Sequence, residues 1–305
     1  MTAQDHSRRT FLRRTALLAL AGGVLAQPAR AAGDTPPPPP PDACDCHMHV
    51  YDSRFAPAPQ ARLRPPPATV DMYRLVQRRL GTQRTVVVTP STYGTDNSCT
   101  LDALRQFGDQ ARGIAVLDPS VPDAELERLD RAGIRGVRFN LAVGAVTTPD
   151  MIEPLARRIA PLGWHVQVNM PVAELERQAA MLRRLPVPVV FDHLARIPLP
   201  AGADHPAFAI VRSLMQEGRA WVKLSGAYLA SKTGAPAYAD VAPLAQALMQ
   251  AAPDQLVWGS DWPHPTEEHK PDDAALLDLL TAWCQGDRPL RDRILVANPA
   301  RLYRF

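Results

Sequence analysis

From Cys44 onward the chain repeats a single alternation, and that rhythm narrows its fold more than any other feature. Short runs rich in Val, Ile and Leu recur at 43–51, 84–90, 112–118, 134–140, 165–170, 188–194, 220–226 and 255–261. Such runs read as strands of a parallel sheet buried on both faces. Between them lie stretches with helical spacing, at 123–133, 148–163, 172–185, 237–252 and 272–284. The second of these opens with Thr148 as a cap and Pro149 at the first helical position. Eight strands alternating with helices over about 260 residues match the size of a (β/α)8 TIM barrel. An open doubly wound sheet would more often place a Gly-rich phosphate turn after its first strand. Here "HMHVYDSRF" follows instead. The expected fold class is therefore α/β, one barrel domain over 43–305.

Residues 1–31 stand outside that rhythm. Arg8 and Arg9 precede Phe11 and Leu12, then comes the apolar run 15–26, and "ARA" at 29–31 is a small-x-small cleavage site. The paired arginines resemble a twin-arginine signal. The resemblance implies a partner in the twin-arginine export machinery and a bacterial periplasmic location. The apolar run is short for a bilayer, so no stable membrane anchor is expected after cleavage. Removing 1–31 takes away five arginines and one aspartate, leaving 29 basic and 30 acidic residues. No basic stripe remains that would suit nucleic acid. A Pro-rich linker, 32–42, then leads to the barrel. Cys44, Cys46, Cys99 and Cys284 read as small buried apolar residues, because a core of this size needs no disulfide.

In such a barrel the chemistry sits at the C-terminal ends of the strands. Polar residues interrupting those ends are therefore the informative ones. They are His47 and His49 (first strand), Arg138 and Asn140 (fourth), Asp192 and His193 (sixth) with Arg196 just beyond, and Lys223 and Ser225 (seventh) with Tyr228 just beyond. The eighth strand ends in "WGSDWPHP", carrying Asp261 and His264, and the loop after the second adds Ser91, Tyr93, Asp96 and Asn97. Taken singly, each has a structural explanation; Asp96 or Asn97, for example, suits a helix cap. Strict alternation puts Asp45, His47 and His49 inside the barrel, with Cys44, Cys46 and Met48 facing the helices. By the same rule Asp192 turns outward, opposite His193. His47, His49, His193 and Asp261 then converge on one mouth.

"HMH", "RGVRFN", "FDHLAR", "KLSGAY", "WGSDWPHP" and "NPARLY", in this order over 43–305, resemble the amidohydrolase superfamily. Within it they resemble the branch of 2-pyrone-4,6-dicarboxylate lactonase and sugar lactonases. The resemblance implies hydrolysis of a lactone. Asp261 would serve as general base for water, with His47, His49 and His193 polarising the carbonyl. A desolvated base of this kind is expected to titrate above a free aspartate. Arg138 and Arg196 suit a carboxylated small-molecule substrate. Asn140, Ser91, Tyr93, Tyr228 and His264 complete the expected substrate-binding set.

Metal-containing superfamily members place ligands on strands 1, 4 to 6, and 8. Here strand 4 offers Arg138, a cation, and His165 stands at the start of strand 5, the wrong end. Gln167 and Asn169 are poor zinc ligands. No required metal is expected; if a single zinc or manganese binds, its ligands are His47, His49 and Asp261. The chain also departs from the dicarboxylate lactonases. "LAVGAV" after Asn140 lacks a further basic residue, and Tyr228 stands where a further arginine might. A sugar-acid or monocarboxylated lactone is thus as good a candidate substrate as the pyrone. Two other readings are a metal-dependent decarboxylase or hydratase, and a non-catalytic binding protein.

Overall fold

The structure is a computed structural model that describes residues 37–142 and 146–305. The stretch expected to be an export signal lies outside the described residues. Eight parallel strands follow one another in sequence order. They are β1 (Cys44–Met48), β2 (Arg84–Val88), β3 (Ala111–Ala115), β4 (Ile134–Asn140), β5 (His165–Asn169), β6 (Val189–Phe191), β7 (Ala220–Leu224) and β8 (Leu256–Trp258). The ends meet where the Asp261 N–H donates to His47 O and the His49 N–H donates to Trp262 O, both at 2.8 Å. That closure needs Gly259, because a Cβ there would lie 2.6 Å from His47 Cβ.

Helices surround the sheet: α1 (Val70–Leu80), α2 (Ser98–Phe107), α3 (Asp123–Arg131), α4 (Ile152–Ile159), α5 (Val172–Arg184), α6 (Pro206–Gln216), α7 (Ala227–Ala230), α8 (Ala242–Ala251) and α9 (Asp273–Trp283). Their limits follow local chemistry. Thr69 accepts from Met72 N to start α1, and Gly81, at φ 77°, ends it. Asp272 accepts from Ala274 N and Ala275 N to start α9. The stretch expected to be helical over 148–163 is divided: 3-10 turns flank α4 on both sides. Asn97 takes the cap position of α2 without a side-chain cap bond; its amide instead ties Thr89 to Val116. Asp96 accepts from Ser98 N.

Two apolar layers result. The larger fills the space between sheet and helices, and the smaller lies inside the barrel: Cys44, Cys46, Val86, Val88, Ile114, Val190, Trp221, Val257 and Tyr303. This reverses the facing expected for the start of β1. Cys44 and Cys46 point inward. Asp45 points outward and accepts from Tyr73 Oη of α1 (2.9 Å), Ser260 N (2.9 Å) and Ser260 Oγ (2.6 Å). The cause is a register shift between Asp45 and Met48, which resets the alternation so that His47 and His49 face in while Met48 faces out. All four cysteines are buried and free. The first described prolines of the run are held against the barrel: Arg291 donates to Pro37 O and Pro38 O. Among the described residues no helix is long and apolar enough to cross a membrane.

Candidate active site

A cavity of about 270 Å³ opens at the C-terminal mouth of the barrel. His49, Tyr51, Ser91, Arg138, Asn140, Asn169, His193, Arg196 and Asp261 line it. A larger groove, about 750 Å³, runs outside the barrel past Arg157 and Arg184 and meets none of these groups.

Asp261 is the focus of the mouth. Its Oδ1 lies 3.5 Å from His47 Nε2 and 3.4 Å from His49 Nε2, and its Oδ2 lies 3.9 Å from His193 Nε2. Tyr228 Oη donates to Oδ2 at 2.5 Å. The backbone places these groups by leaving regular geometry. Asp261 has φ 65° and His193 φ 51°, left-handed values that cost a non-glycine residue of order 1–3 kcal/mol. His193 packs against Gly226, where a Cβ would come within 3.0 Å of Nδ1. Burial pushes the Asp261 carboxyl up, but the His193, His49 and His47 rings outweigh it and hold the carboxyl well below the usual range. The raised value expected of a desolvated base is therefore corrected: nearby rings decide the sign. Burial also pushes His47 and His193 below their ordinary value, against the pull of the neighbouring carboxylates.

Below Asp261 lies a second buried charge. Asp192 is fully buried inside the barrel rather than turned toward a helix. Its Oδ2 accepts from Arg138 Nε and Gln167 Nε2, both at 3.2 Å, and its Oδ1 lies 3.2 Å from His47 Nδ1 and 3.6 Å from Lys223 Nζ. Counting outward from His193 misplaced it. Val190 faces in, so Asp192 keeps that parity, and the left-handed turn at His193 then brings the next residue inside as well. Burial would raise the Asp192 carboxyl, but His47, Lys223 and Arg138 hold it well below the usual range. Lys223 Nζ donates to Gln167 Oε1 (2.8 Å) and Cys46 O (2.9 Å) and touches His47 Nδ1 at 3.1 Å. Burial lowers the Lys223 pKa and Asp192 opposes it.

The other expected residues divide. Asn140 Nδ2 donates to Ser91 Oγ at 2.9 Å and its Oδ1 accepts from Asn169 Nδ2 at 3.1 Å, which makes a polar rim. Arg196 lines the cavity, and its guanidinium has no protein partner among the described residues. Arg138 also lines it, though its Nε is committed to Asp192. Tyr93 does not reach the cavity; its hydroxyl accepts from Asp52 N at 2.9 Å, behind Tyr51. Tyr228 and His264 stand behind the carboxylate: Tyr228 bonds Asp261, His264 Nδ1 lies 3.2 Å from Tyr228 Oη, and His264 Nε2 bonds Asp273 at 2.9 Å. His47 lies beneath Asp261 without lining the cavity. Lys223 and Asp192, noted at strand ends, were given no site role, nor were Gln167, Asn169 and Tyr51. A lysine inside an apolar strand was the available signal, since lysine is almost never fully buried unless paired.

His47 Nε2, His49 Nε2 and Asp261 Oδ1 lie within 4.8 Å of one another, and His47 Nε2 is buried without a hydrogen-bond partner. Two imidazoles and one carboxylate form a donor set that could hold a single divalent ion such as zinc or manganese.

Known proteins bear on this site. The chain is 37% identical over 274 residues to the 2-pyrone-4,6-dicarboxylate hydrolase of Comamonas testosteroni, covering 86% of this chain and 90% of the relative. It is 36% identical over 270 residues to the 4-sulfomuconolactone hydrolase of Rhizobium radiobacter, covering 86% and 89%. A crystal structure of a probable 2-pyrone-4,6-dicarboxylic acid hydrolase from Acinetobacter baumannii, with citric acid bound, superposes with a TM-score of 0.75 at 30% identity, covering 87% and 100%. The amidohydrolase family profile matches residues 44–305. With that match spanning the whole barrel and its mouth, the chain belongs to the amidohydrolase family and is a hydrolase of it.

Proposed function

We propose that the protein opens the ring of a small lactone bearing at least one carboxylate. The observation that carries this reading is the Asp261 carboxylate facing three histidine rings at the mouth of a cavity that also holds Arg196, which has no partner among the described residues. His49 Nδ1 is fixed at 2.8 Å from Val88 O, a pure acceptor, so the proton of the neutral ring sits on Nδ1. Its Nε2 lone pair and Asp261 Oδ1 are then adjacent acceptors, suited to a water that donates a proton to each. Asp261 takes one proton as the water oxygen bonds to the carbonyl carbon. The oxyanion collapses, the ring C–O bond breaks, and the proton passes from Asp261 to the leaving oxygen. His193 lines the cavity and serves as donor to the carbonyl oxygen, with His47 below Asp261. A divalent ion at His47, His49 and Asp261, which would need a bare His47 Nε2, would add Lewis-acid polarisation of the carbonyl.

Arg196 and Arg138 supply the charge that recognises the substrate carboxylate. The relatives named as hydrolases of 2-pyrone-4,6-dicarboxylate and 4-sulfomuconolactone support an anionic lactone. A panel of acidic and neutral lactones, followed by proton release in a pH-indicator assay, tests the reading. Acidic lactones should turn over, and a panel with no hydrolysis refutes it. We place the activity in the periplasm on the pattern at Arg8 and Arg9. Replacing both with lysine should leave the protein in the cytoplasmic fraction; unchanged export would refute the twin-arginine route.

A further inference from the structure

Lys223 is a fully buried cation that the proposed chemistry does not use directly. Its position bears on a choice left open at His47. A neutral imidazole carries one proton, on either Nδ1 or Nε2, and only a bare Nε2 could bind a metal alongside His49 and Asp261. The neighbours of Nδ1 decide. Asp192 Oδ1, 3.2 Å away, competes for Nδ1 but lies out of line for a hydrogen bond. Lys223 Nζ, at 3.1 Å, is the group in bonding geometry. An ammonium has three donors and no acceptor. Two of its donors go to Cys46 O and Gln167 Oε1, and the third meets Nδ1. The Asp192 carboxylate, 3.6 Å from Nζ, supplies the countercharge. Nδ1 is then an acceptor, and the ring proton sits on Nε2, facing Asp261 Oδ1 at 3.5 Å. A donor suits that carboxylate, whereas a second lone pair would repel it.

We infer that Lys223 locks His47 in the Nε2–H form, turning a protonated nitrogen toward the Asp261 carboxylate and withholding the ring from metal coordination. Lys223 is thus a positioning residue acting through His47. The two histidines of β1 are held in opposite tautomers: His49 by Val88 O with its proton on Nδ1, and His47 by Lys223 with its proton on Nε2. The inference rests on the reading of Asp261 as the base, but its test does not depend on turnover.

Long-range ¹H–¹⁵N correlation on the full chain, labelled at histidine, distinguishes protonated from bare ring nitrogens. His47 is assigned by loss of its signals in His47→Gln. A protonated Nε2 with a bare Nδ1 near neutral pH is expected; a bare Nε2, or two protonated nitrogens, overturns the inference. This measurement needs no change at Lys223. In Lys223→Met the Nδ1 proton can turn to Asp192, and the ring should convert to the Nδ1–H form. Zinc affinity by calorimetry should then rise about 10- to 100-fold, the usual reach of groups behind a ligand. If the variant folds with zinc affinity and tautomer unchanged, Lys223 does not control His47. Should Lys223→Met fail to fold, the wild-type spectrum alone decides. An inactive lactone panel with the expected spectrum would refute the lactonase reading and leave the tautomer lock standing.

Discussion

Replacing His165 with phenylalanine should flatten the acid limb of the stability profile. His165 opens β5 at the floor of the barrel, with its ring against Tyr303 at 5.5 Å between centroids. It lies over Gly136, where a Cβ would come within 2.7 Å of Nε2, and Nε2 has no hydrogen-bond partner. Burial, reinforced by the charge of Lys223, lowers its pKa from 6.5 to about 3. The folded value lies below the unfolded one, so as pH falls the unfolded chain takes up the proton first. The contribution of His165 is therefore intact above about pH 6.5 and is lost progressively toward about pH 3. At about pH 5, some 1.5 units below the unfolded value, the loss is about 2 kcal/mol. Asp45 works the other way, because burial raises it to about 6 and the folded chain then binds its proton more readily. The wild-type slope mixes both effects, and the comparison with His165→Phe separates them. The larger ring costs about 1–3 kcal/mol at any pH. Urea denaturation at about pH 7.5 and about pH 5 should show the variant losing about 2 kcal/mol less than wild type. Equal losses would mean that His165 is protonated or solvated in the fold, and the reasoning would fail.

Three further changes probe the mouth. Asp261→Asn should lower kcat on the best lactone by about 10²- to 10⁴-fold, the usual yield of a positioned base. Circular dichroism should be unchanged, and near-normal turnover would remove Asp261 from the chemistry. Arg196→Ala should raise KM for acidic lactones about tenfold or more while leaving neutral ones alone, as expected on losing one charged hydrogen bond. A uniform loss across both classes would point to a structural role. Tyr228→Phe removes the 2.5 Å bond to Asp261 Oδ2 and should lower kcat about tenfold with little change in KM. A shift in KM alone would return Tyr228 to substrate contact.

What the sequence revealed and what it hid follow from one property of strands. The eight apolar runs are long and uniform, so their number, order and approximate limits could be read from composition and spacing. His47, His49, His193 and Asp261 could be placed at one mouth because each stands at a strand end, where the fold collects function. Errors arose where alternation was trusted across an irregularity. The shift between Asp45 and Met48 exchanged the faces of Asp45 and the two cysteines, and the left-handed turn at His193 put two successive residues inside. Neither irregularity is marked by a glycine or proline, the usual local signs.

Those same irregularities build the site. A regular β1 would carry inside-facing side chains only at every second residue; the shift delivers Cys46 and His47 inward in succession, so that the Cys46 carbonyl and the His47 ring both meet Lys223. At the end of β6, regular alternation would have supplied either Asp192 or His193. The turn supplies both, one as the buried counterion for Lys223 and Arg138, the other as a ring beside Asp261. Strained, parity-breaking backbone persists only where surrounding contacts over-determine it. Here those contacts are the hydrogen bonds of Asp45 to Ser260 and Tyr73 behind β1, and the packing of His193 on Gly226. The chemistry of the mouth thus depends on outward-facing residues that never touch the cavity.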